Sequence, residues 1–157
     1  MRNINAFLAI SLSVGLLSLP AQALAQGVDF EGNVKHTCSI NVTRDGLLDP
    51  TNGYQRLTSR SGPGIPGVAK VVASGNGFSL SVQAPTLFSS KPSSDTSSET
   101  FRAWHRSHGA SYYAATQQPQ TIAHGTSTIR VHMDARKTGA DVFEVGNYSA
   151  TVILRCE

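Results

Sequence analysis

Two cysteines bracket most of this 157-residue chain and constrain its fold more than any other feature. Cys38 lies a short way beyond an apolar N-terminal stretch, and Cys156 is the second-last residue, 118 positions later. Each cysteine sits in an alternating pattern of apolar and polar residues, which predicts a β-strand. In an exported chain with an even number of cysteines, the two are expected to form a disulfide. Closing so long a loop should stabilise the fold by roughly 4–5 kcal/mol, because it restricts the unfolded chain.

The N-terminal stretch has the features of a signal peptide. Arg2 supplies a positive charge, residues 4–19 are mostly apolar, and Ala23-Leu24-Ala25 matches the A-x-A cleavage pattern. An uncleaved membrane anchor is the alternative, but the apolar run is short and interrupted by polar residues. We therefore expect residues 1–25 to be removed and residues 26–157 to form a single exported domain. Nothing after the signal has the length and hydropathy of a transmembrane helix, so no membrane-spanning segment is expected after cleavage.

The charge of the chain does not indicate a nucleic-acid partner. The formal net charge is +3 and falls by one when Arg2 is removed with the signal. Lys and Arg are scattered along the sequence and form no basic run, whereas nucleic-acid binding requires a concentrated positive surface. We expect no nucleic acid among the partners.

Period-two patterns recur along the mature chain, and none of its segments has a convincing helical period. They lie at residues 28–34, 38–42, 68–73, 78–82, 129–135 and 148–156. The turn Gly75-Asn76-Gly77 separates two of these patterns and predicts a β-hairpin. Segments 43–66, 89–100 and 117–125 are rich in Gly, Pro, Ser or Thr and predict loops. Together these patterns predict an all-β fold, an immunoglobulin-like antiparallel β-sandwich.

The two ends of the chain carry a resemblance to a known family. The N-terminal end has an alternating segment, Gly27-Val28-Asp29-Phe30-Glu31-Gly32-Asn33-Val34, and then Thr37-Cys38-Ser39-Ile40. The C-terminal end has a Gly-x-Tyr-x-x-x-Val strand, Gly146-Asn147-Tyr148-Ser149-Ala150-Thr151-Val152. Both resemble subunits of bacterial chaperone–usher pili (fimbriae), and in particular the archaic, spore-coat-U-like branch. The resemblance implies an incomplete sandwich that lacks its last strand and keeps a hydrophobic groove open.

In such a subunit the groove is filled by a strand from another protein, first a periplasmic chaperone and then the next subunit. The resemblance implies that the donor-strand side chains are Val28, Phe30, Gly32 and Val34. It implies that the acceptor edge consists of Tyr148, Ala150, Val152 and Leu154. The implied function is that of a structural or adhesive pilus subunit, whose partners are other subunits, a chaperone and an outer-membrane usher. The implied location is the periplasm during transit and then the cell surface.

Two features depart from the family pattern. The second cysteine lies at the very end of the chain, next to the acceptor edge, whereas in many such subunits it lies mid-chain. Only Gln26 and Gly27 precede the segment 28–34, which can therefore also be the domain's own first strand. In that case no donor extension remains, and the protein is a tip subunit or a self-complete monomer.

The densest cluster of aromatic, basic and histidine residues is a candidate recognition patch formed by Trp104, His105, Arg106 and His108. Trp and Arg are favoured at binding hot spots, and aromatic faces stack on sugars or cations. The alternative is that Phe101 and Trp104 belong to the sandwich core. On a helix, His105 and His108 would share a face and could bind a metal, but no third ligand has a suitable spacing. The rival function is therefore a self-complete periplasmic sandwich that binds a small ligand, a protein or a metal through this region.

The sequence gives little support for catalysis. No Gly-x-Ser-x-Gly nucleophile elbow is present, and His132 and Asp134 alternate beside Arg130 without a nucleophile tied to them. The cysteines are assigned to a disulfide. We expect no catalytic residues, no enzyme activity, no cofactor and no bound metal.

Overall fold

The structure, a computed structural model, describes residues 26–157, so the predicted signal peptide lies outside the described residues. The described residues form ten β-strands and no helix, which confirms the predicted all-β, sandwich-like fold. Within this part of the chain there is no helix that is long and apolar enough to cross a membrane. The strands are β1 (Cys38–Arg44), β2 (Asp49–Thr51), β3 (Arg56–Thr58), β4 (Gly67–Ala73), β5 (Phe78–Gln83), β6 (Glu99–Gly109), β7 (Tyr113–Thr116), β8 (Gln120–Ile122), β9 (Gly125–Lys137) and β10 (Ile153–Cys156).

The strands form two antiparallel sheets. The 13-residue β9 is the centre of the larger, seven-stranded sheet. One edge of β9 pairs along its length with β6, which in turn pairs with β7. The other edge pairs first with β4, whose neighbour is β1, and then with β3, whose neighbour is β2. The smaller sheet has three strands in the order β10-β5-β8.

The predicted hairpin between residues 68–73 and 78–82 is wrong, because β4 and β5 lie in different sheets. Both segments are strands, but the Gly75-Asn76-Gly77 turn carries the chain from one sheet to the other. The inward side chains of Val71 and Leu80 are both fully buried. They therefore bury their apolar surface face to face between the sheets, which a shared hairpin would not allow.

Two of the predicted loops also contain short strands. Segment 43–66 holds β2 and β3, and segment 117–125 holds β8. β3 was not predicted because it has no long apolar alternation. Polar contacts hold it to β9 instead. The carboxylate of Asp134 on β9 accepts hydrogen bonds from the Arg56 guanidinium and the Thr58 hydroxyl of β3.

The core has two parts. In one, which we call the disulfide half, the buried residues are Val71, Ala73, Leu80, Ile122 and Ile129. In the other, which we call the groove half, the buried residues are Leu57, Phe88, Met133, Ala135 and Phe143.

The predicted disulfide is confirmed at one end of the sandwich. Cys38 at the start of β1 is bonded to Cys156 at the end of β10, with the two Cα atoms 6.1 Å apart. Because β1 belongs to the larger sheet and β10 to the smaller one, the bond ties the two sheets together. Both cysteines are packed against the disulfide half of the core.

Candidate strand-acceptor groove

A large apolar groove opens beside the C-terminal segment of the chain. Its volume is about 950 Å³, and residues from both sheets line it. The apolar side chains along it include Val42, Leu47, Leu48, Leu57, Ala69, Val131, Met133, Phe143, Val145, Tyr148, Ala150, Val152 and Leu154. Several of them remain exposed, including Val42 at 62% and Leu47 at 52%. An exposed apolar strip of this kind marks a site of interaction in a soluble domain.

The groove lies beside two edge strands, each of which pairs on one side only within residues 26–157. β1 is the edge strand of the larger sheet and pairs only with β4. β10 is the edge strand of the smaller sheet and pairs only with β5. Just before β10, Ser149 exchanges backbone hydrogen bonds with Ser90. An unpaired edge offers a ready row of N–H and C=O groups to an incoming strand.

The four residues predicted to form the acceptor edge lie together along this groove. Tyr148, Ala150, Val152 and Leu154 all line it and are half-buried. The residues between them, Ser149, Thr151, Ile153 and Arg155, are exposed. The segment therefore keeps the period of an extended strand from residue 148 to 156, although the regular ladder begins only at Ile153.

Aromatic rings form the floor at the start of the acceptor segment. The ring of Phe88 lies 4.8 Å from that of Phe101 and 5.1 Å from that of Tyr148, both in edge-to-face geometry. The ring of Phe143 lies 5.3 Å from that of Tyr148. Such pairs add specific geometry to the burial of apolar area and fix the position of Tyr148.

Tyr148 is also held by its hydroxyl. It donates a hydrogen bond to Asp95 Oδ2 at 2.6 Å, and the carbonyl of Glu144 lies 3.0 Å away as a second acceptor. Burial, together with the hydrogen bond to Asp95, raises the pKa of the Tyr148 hydroxyl. The phenol therefore stays protonated and keeps its donor role at any physiological pH.

The segment predicted to be a donor strand forms no strand in the described structure. Residues 26–32 group apart from the body of the domain, which comprises residues 33–157. Val28 is 76% exposed, Phe30 is 92% exposed, and Val34, at the start of the body, is 84% exposed. Residues 28–34 are therefore not the first strand of the described fold, which begins with β1, and the donor role stays a prediction.

The chain becomes fixed just before Cys38. The Ser74 hydroxyl donates to the Lys35 carbonyl at 2.6 Å, and the Ser74 backbone N–H donates to the Thr37 carbonyl at 2.9 Å. The His36 ring stacks on the Phe78 ring at 4.2 Å and lies over Gly75, where a Cβ atom would collide with it. The apolar residue Val34 therefore lies immediately before a firm anchor at the disulfide half.

The candidate recognition patch is divided between two faces of β6. His105 is fully buried and faces the core, whereas Trp104, Arg106 and His108 face outward. The helical arrangement in which His105 and His108 share a face is therefore wrong, because residues three apart on a strand point to opposite sides. The alternative that Phe101 and Trp104 belong to the core is right for Phe101, which packs against the groove half. It is wrong for Trp104, which does not belong to the core.

The outward face of the larger sheet concentrates arginine side chains that are far apart in the sequence. Cross-strand pairing brings Arg106 of β6 next to Arg130 of β9, and Trp104 next to His132. The Arg60 guanidinium lies over the Trp104 ring at 5.0 Å. The arginines of this face, which we call the arginine face, are Arg56, Arg60, Arg102, Arg106, Arg130 and Arg136. Asp134, paired with Arg56, is the acidic residue among the outward positions of β3, β6 and β9.

The sequence contains a pattern that corresponds to this face, but the pattern can be recognised only once the strand pairing is known. The arginines occupy alternate positions on two strands, as in Arg102-x-Trp104-x-Arg106 and Arg130-x-His132. Pairing of β6 with β9 was needed to bring them together. The charges are close enough to act on His132: burial first, and then the nearby Arg60, lower the pKa of its ring.

Residues 26–157 contain no cluster of three or more His, Cys, Asp or Glu side chains placed to hold a metal ion. Comparisons of the chain with protein-family models, curated proteins and solved structures found no match. The groove, the arginine face and the sequence patterns are therefore the observations that bear on function.

Proposed function

We propose that this protein is a structural, pilus-like subunit that binds an extended strand from a neighbouring copy in the groove beside residues 147–154. The observation that carries the proposal is the groove itself. It is apolar, it lies beside two strands that each pair on one side only within residues 26–157, and one wall presents alternate side chains inward. An added strand would pair with these edges through main-chain hydrogen bonds and place alternate side chains in the groove.

The N-terminal segment has the composition and length that such a strand requires. Val28, Phe30, Gly32 and Val34 repeat with a period of two and match the period of the acceptor edge. Residues 26–34 span about 30 Å when extended. The acceptor residues 147–154 span about 26 Å as a strand. The two segments are therefore of matching length.

Burial of the donor side chains supplies the driving force. Each of Val28, Phe30 and Val34 would contribute roughly 1.5–3 kcal/mol on moving from water into the groove. The ordering of the N-terminal segment opposes this gain. At Gly32 the absence of a side chain lets the donor backbone approach the groove closely. Contacts of residues 35–37 with Ser74 fix the start of the domain body next to the disulfide.

The cellular context follows from this proposal. A subunit with an open groove needs a periplasmic chaperone to cover it before assembly and an outer-membrane usher to deliver it to the surface. We place the mature protein in the periplasm during export and then in a fimbrium at the cell surface.

A deletion of residues 26–35 tests the assembly role. We predict that the secreted deletion variant folds as a monomer and no longer forms higher oligomers in the bacterium that makes it. Size-exclusion chromatography with light scattering measures both properties. The matched point variants are Phe30→Asp, which should abolish polymers, and Asp29→Ala, which should leave them intact. Polymers that persist after the deletion would reject strand donation by this segment.

A second function is favoured by the arginine face. We propose that this face binds an acidic polysaccharide, because guanidinium groups pair bidentately with carboxylate and sulfate groups. This gives the rival ligand-binding function a specific surface, and it is compatible with an adhesive subunit. The arginines on β6 and β9 lie in two parallel rows, which suits a linear polymer with regularly spaced anionic groups.

Binding to heparin, used as a sulfated probe, tests this surface. We predict salt-sensitive retention that weakens markedly in an Arg106→Gln/Arg130→Gln variant. The matched control is Lys35→Gln/Arg155→Gln, which also removes two exposed charges, both outside the arginine face. Equal losses in both variants would indicate only a general response to net charge and would reject a dedicated site. Double-stranded DNA or anionic vesicles that compete better than heparin would reject the polysaccharide assignment.

A further inference from the structure

A largely buried cluster of charged side chains joins three segments of the groove half. Lys137 ends β9, Glu99 begins β6, and Asp95 lies in the loop before β6. The side chains of Lys137 and Asp95 have no solvent exposure, and that of Glu99 is 7% exposed. From this arrangement we propose that Lys137 and Asp95 condense to form an intramolecular isopeptide bond, with Glu99 as the proton carrier.

The amine lies directly against the carboxyl group that it would attack. Lys137 Nζ contacts Asp95 Oδ1, and it also lies 3.1 Å from the Ser97 carbonyl and 3.3 Å from Glu99 Oε2. The Phe143 ring lies 4.9 Å from Nζ and forms an apolar wall. A nucleophile held in contact with its target, with water excluded, gains the large advantage of an intramolecular reaction.

Each remaining requirement of the reaction has a side chain in place. The Tyr148 hydroxyl donates to Asp95 Oδ2 at 2.6 Å, where negative charge would develop. Glu99 can accept a proton from the nitrogen and pass it to the departing oxygen. The second amine near Glu99 belongs to Lys91, whose Nζ lies 3.2 Å from the carboxylate.

The reaction balances without an oxidant or any other reactant. A proton first moves from the Lys137 ammonium to Oδ1 of the Asp95 carboxylate. The neutral amine then attacks Cγ, forming the C–N bond while the electron pair of the C=O bond moves to Oδ2. Glu99 takes one proton from the nitrogen and delivers it to the hydroxyl at Oδ1. The C–O bond breaks, water leaves, the carbonyl re-forms at Oδ2, and Glu99 returns to its starting state.

The charges of the cluster favour the product. Before the reaction, two ammonium groups face two carboxylates in a largely buried site, which carries a desolvation penalty. Condensation removes one charge of each sign, and the Glu99 carboxylate keeps Lys91 as its partner. Burial alone would raise the pKa of Asp95, but the hydrogen bonds from Lys137 and Tyr148 lower it, so the ion pair is the starting state from which the proton must move.

A second, partly buried ion pair of the same protein lacks the groups needed for this reaction. Asp134 is paired with Arg56, and the Thr58 hydroxyl is its other partner. A guanidinium is permanently protonated and is not a nucleophile. No second carboxylate is bonded to this pair within residues 26–157. The contrast sets the Lys137 cluster apart from an ordinary structural ion pair.

The bond would give the groove half its own covalent tie. It would join the loop before β6 to the end of β9, next to Tyr148 at the start of the acceptor edge. The disulfide already ties the opposite half. Unlike the disulfide, an amide survives reduction.

Intact-mass measurement of the secreted protein, reduced and denatured, tests the proposal. The expected mass is lower than that of the mature sequence by one water molecule, and proteolysis should yield a single fragment pair joined through Lys137 and Asp95. Locating the bond in fragments separates it from cyclisation of an N-terminal Gln26, which releases ammonia instead. The full, unmodified mass in the wild-type protein would overturn the proposal, and this result needs no variant that folds.

Variants then test the assigned roles. Lys137→Arg and Asp95→Ala should each restore the unmodified mass, and Glu99→Gln should abolish or greatly slow bond formation. Lys91→Arg, at the other amine near Glu99, should retain the bond and serves as the matched control. A bond that forms at the wild-type rate in Glu99→Gln would overturn the proton-carrier role. A water loss that persists in Lys137→Arg would overturn the assignment of the amine.

Discussion

The two halves of the core share β9 but differ in completeness. In the disulfide half, Val71, Leu80, Ile122 and Ile129 have no exposed surface, and Cys38–Cys156 joins the sheets across them. In the groove half, the facing residues Tyr148, Ala150 and Val152 stay half-buried, and Val42 and Leu47 are exposed beside them.

This difference indicates what the fold lacks. A sandwich with both sheets complete buries its inner faces along their whole length. Here β10 is short and lies at the edge of a sheet of only three strands, so the larger sheet is left partly uncovered at the groove. Within residues 26–157 the disulfide half is closed, and under the proposed function the groove half takes up one more strand.

Loss of the disulfide should have the largest effect. Replacing both cysteines with serine should lower the free energy of unfolding by roughly 4–5 kcal/mol, because the unfolded chain regains the freedom of a very long loop. Urea denaturation of the oxidised and reduced wild-type protein measures the same quantity without mutation. A reduced protein as stable as the oxidised one would show that the disulfide half does not depend on its covalent tie.

A cavity in the disulfide half should have the next largest effect. Leu80 is fully buried between the sheets, so Leu80→Ala should cost roughly 2–5 kcal/mol through lost burial and the cavity left behind. Thermal or chemical denaturation measures the loss. A cost below about 1 kcal/mol would mean that this half is packed no more tightly than a surface site.

Acid should weaken the disulfide half through His105. Neither nitrogen of this buried ring has a hydrogen-bond partner of good geometry within residues 26–157. Burial lowers the pKa of His105 below 6.5, and nearby backbone groups of Leu80 and Thr116 offset only part of this effect. The fold therefore prefers the neutral ring, and its contribution to stability is complete above the unfolded pKa and lost as the pH falls.

Unfolding free energies measured between pH 8 and pH 5 test whether stability falls as the pH falls. Below about pH 6.5, stability should fall by up to about 1.4 kcal/mol per pH unit for one proton taken up on unfolding. His105→Gln should flatten this slope. His108→Gln, at an exposed position of the same strand, is the matched substitution. A slope that His105→Gln leaves unchanged would assign the acid sensitivity to other groups, with His132 the next to be tested.

The groove half should respond least. Val152→Ala should lower the stability of the isolated domain by less than about 1 kcal/mol, because the side chain is only half-buried there. The same change should weaken the binding of a donor strand, in which Val152 would become fully covered. A large loss of stability in the isolated domain would mean that the groove wall is already part of a closed core.

The strand patterns at Cys38, Val71, Leu80, Ile129 and Leu154 were predictable, because one face of each strand is buried and the other is exposed. The disulfide was predictable because two cysteines, in a chain predicted to be exported, allow one internal pairing. The assignment of β4 and β5 to different sheets was not, since a glycine turn between two alternating segments is equally compatible with a hairpin and with a crossing between sheets.

The strand β6 and the side chains around it were the least predictable part of the fold. On the inward face of β6, the buried His105 follows Phe101 and Ala103 and interrupts the apolar alternation on which strand prediction depends. The arginine face depends on the register between β6 and β9, and the Lys137 cluster depends on the loop that brings Asp95 to the end of β9. Both arise from long-range pairing, which a local pattern does not specify.

The most direct test of strand acceptance is the binding of a synthetic peptide of residues 26–34 to the domain that lacks this segment. We predict saturable binding, with amide chemical-shift changes in β1 and along residues 148–154. Binding should be lost in Val152→Glu, in which a charge faces the groove, and kept in Ile153→Glu, in which it faces solvent. Absence of binding, or binding that ignores this pair of variants, would contradict the assignment of the groove as an acceptor site.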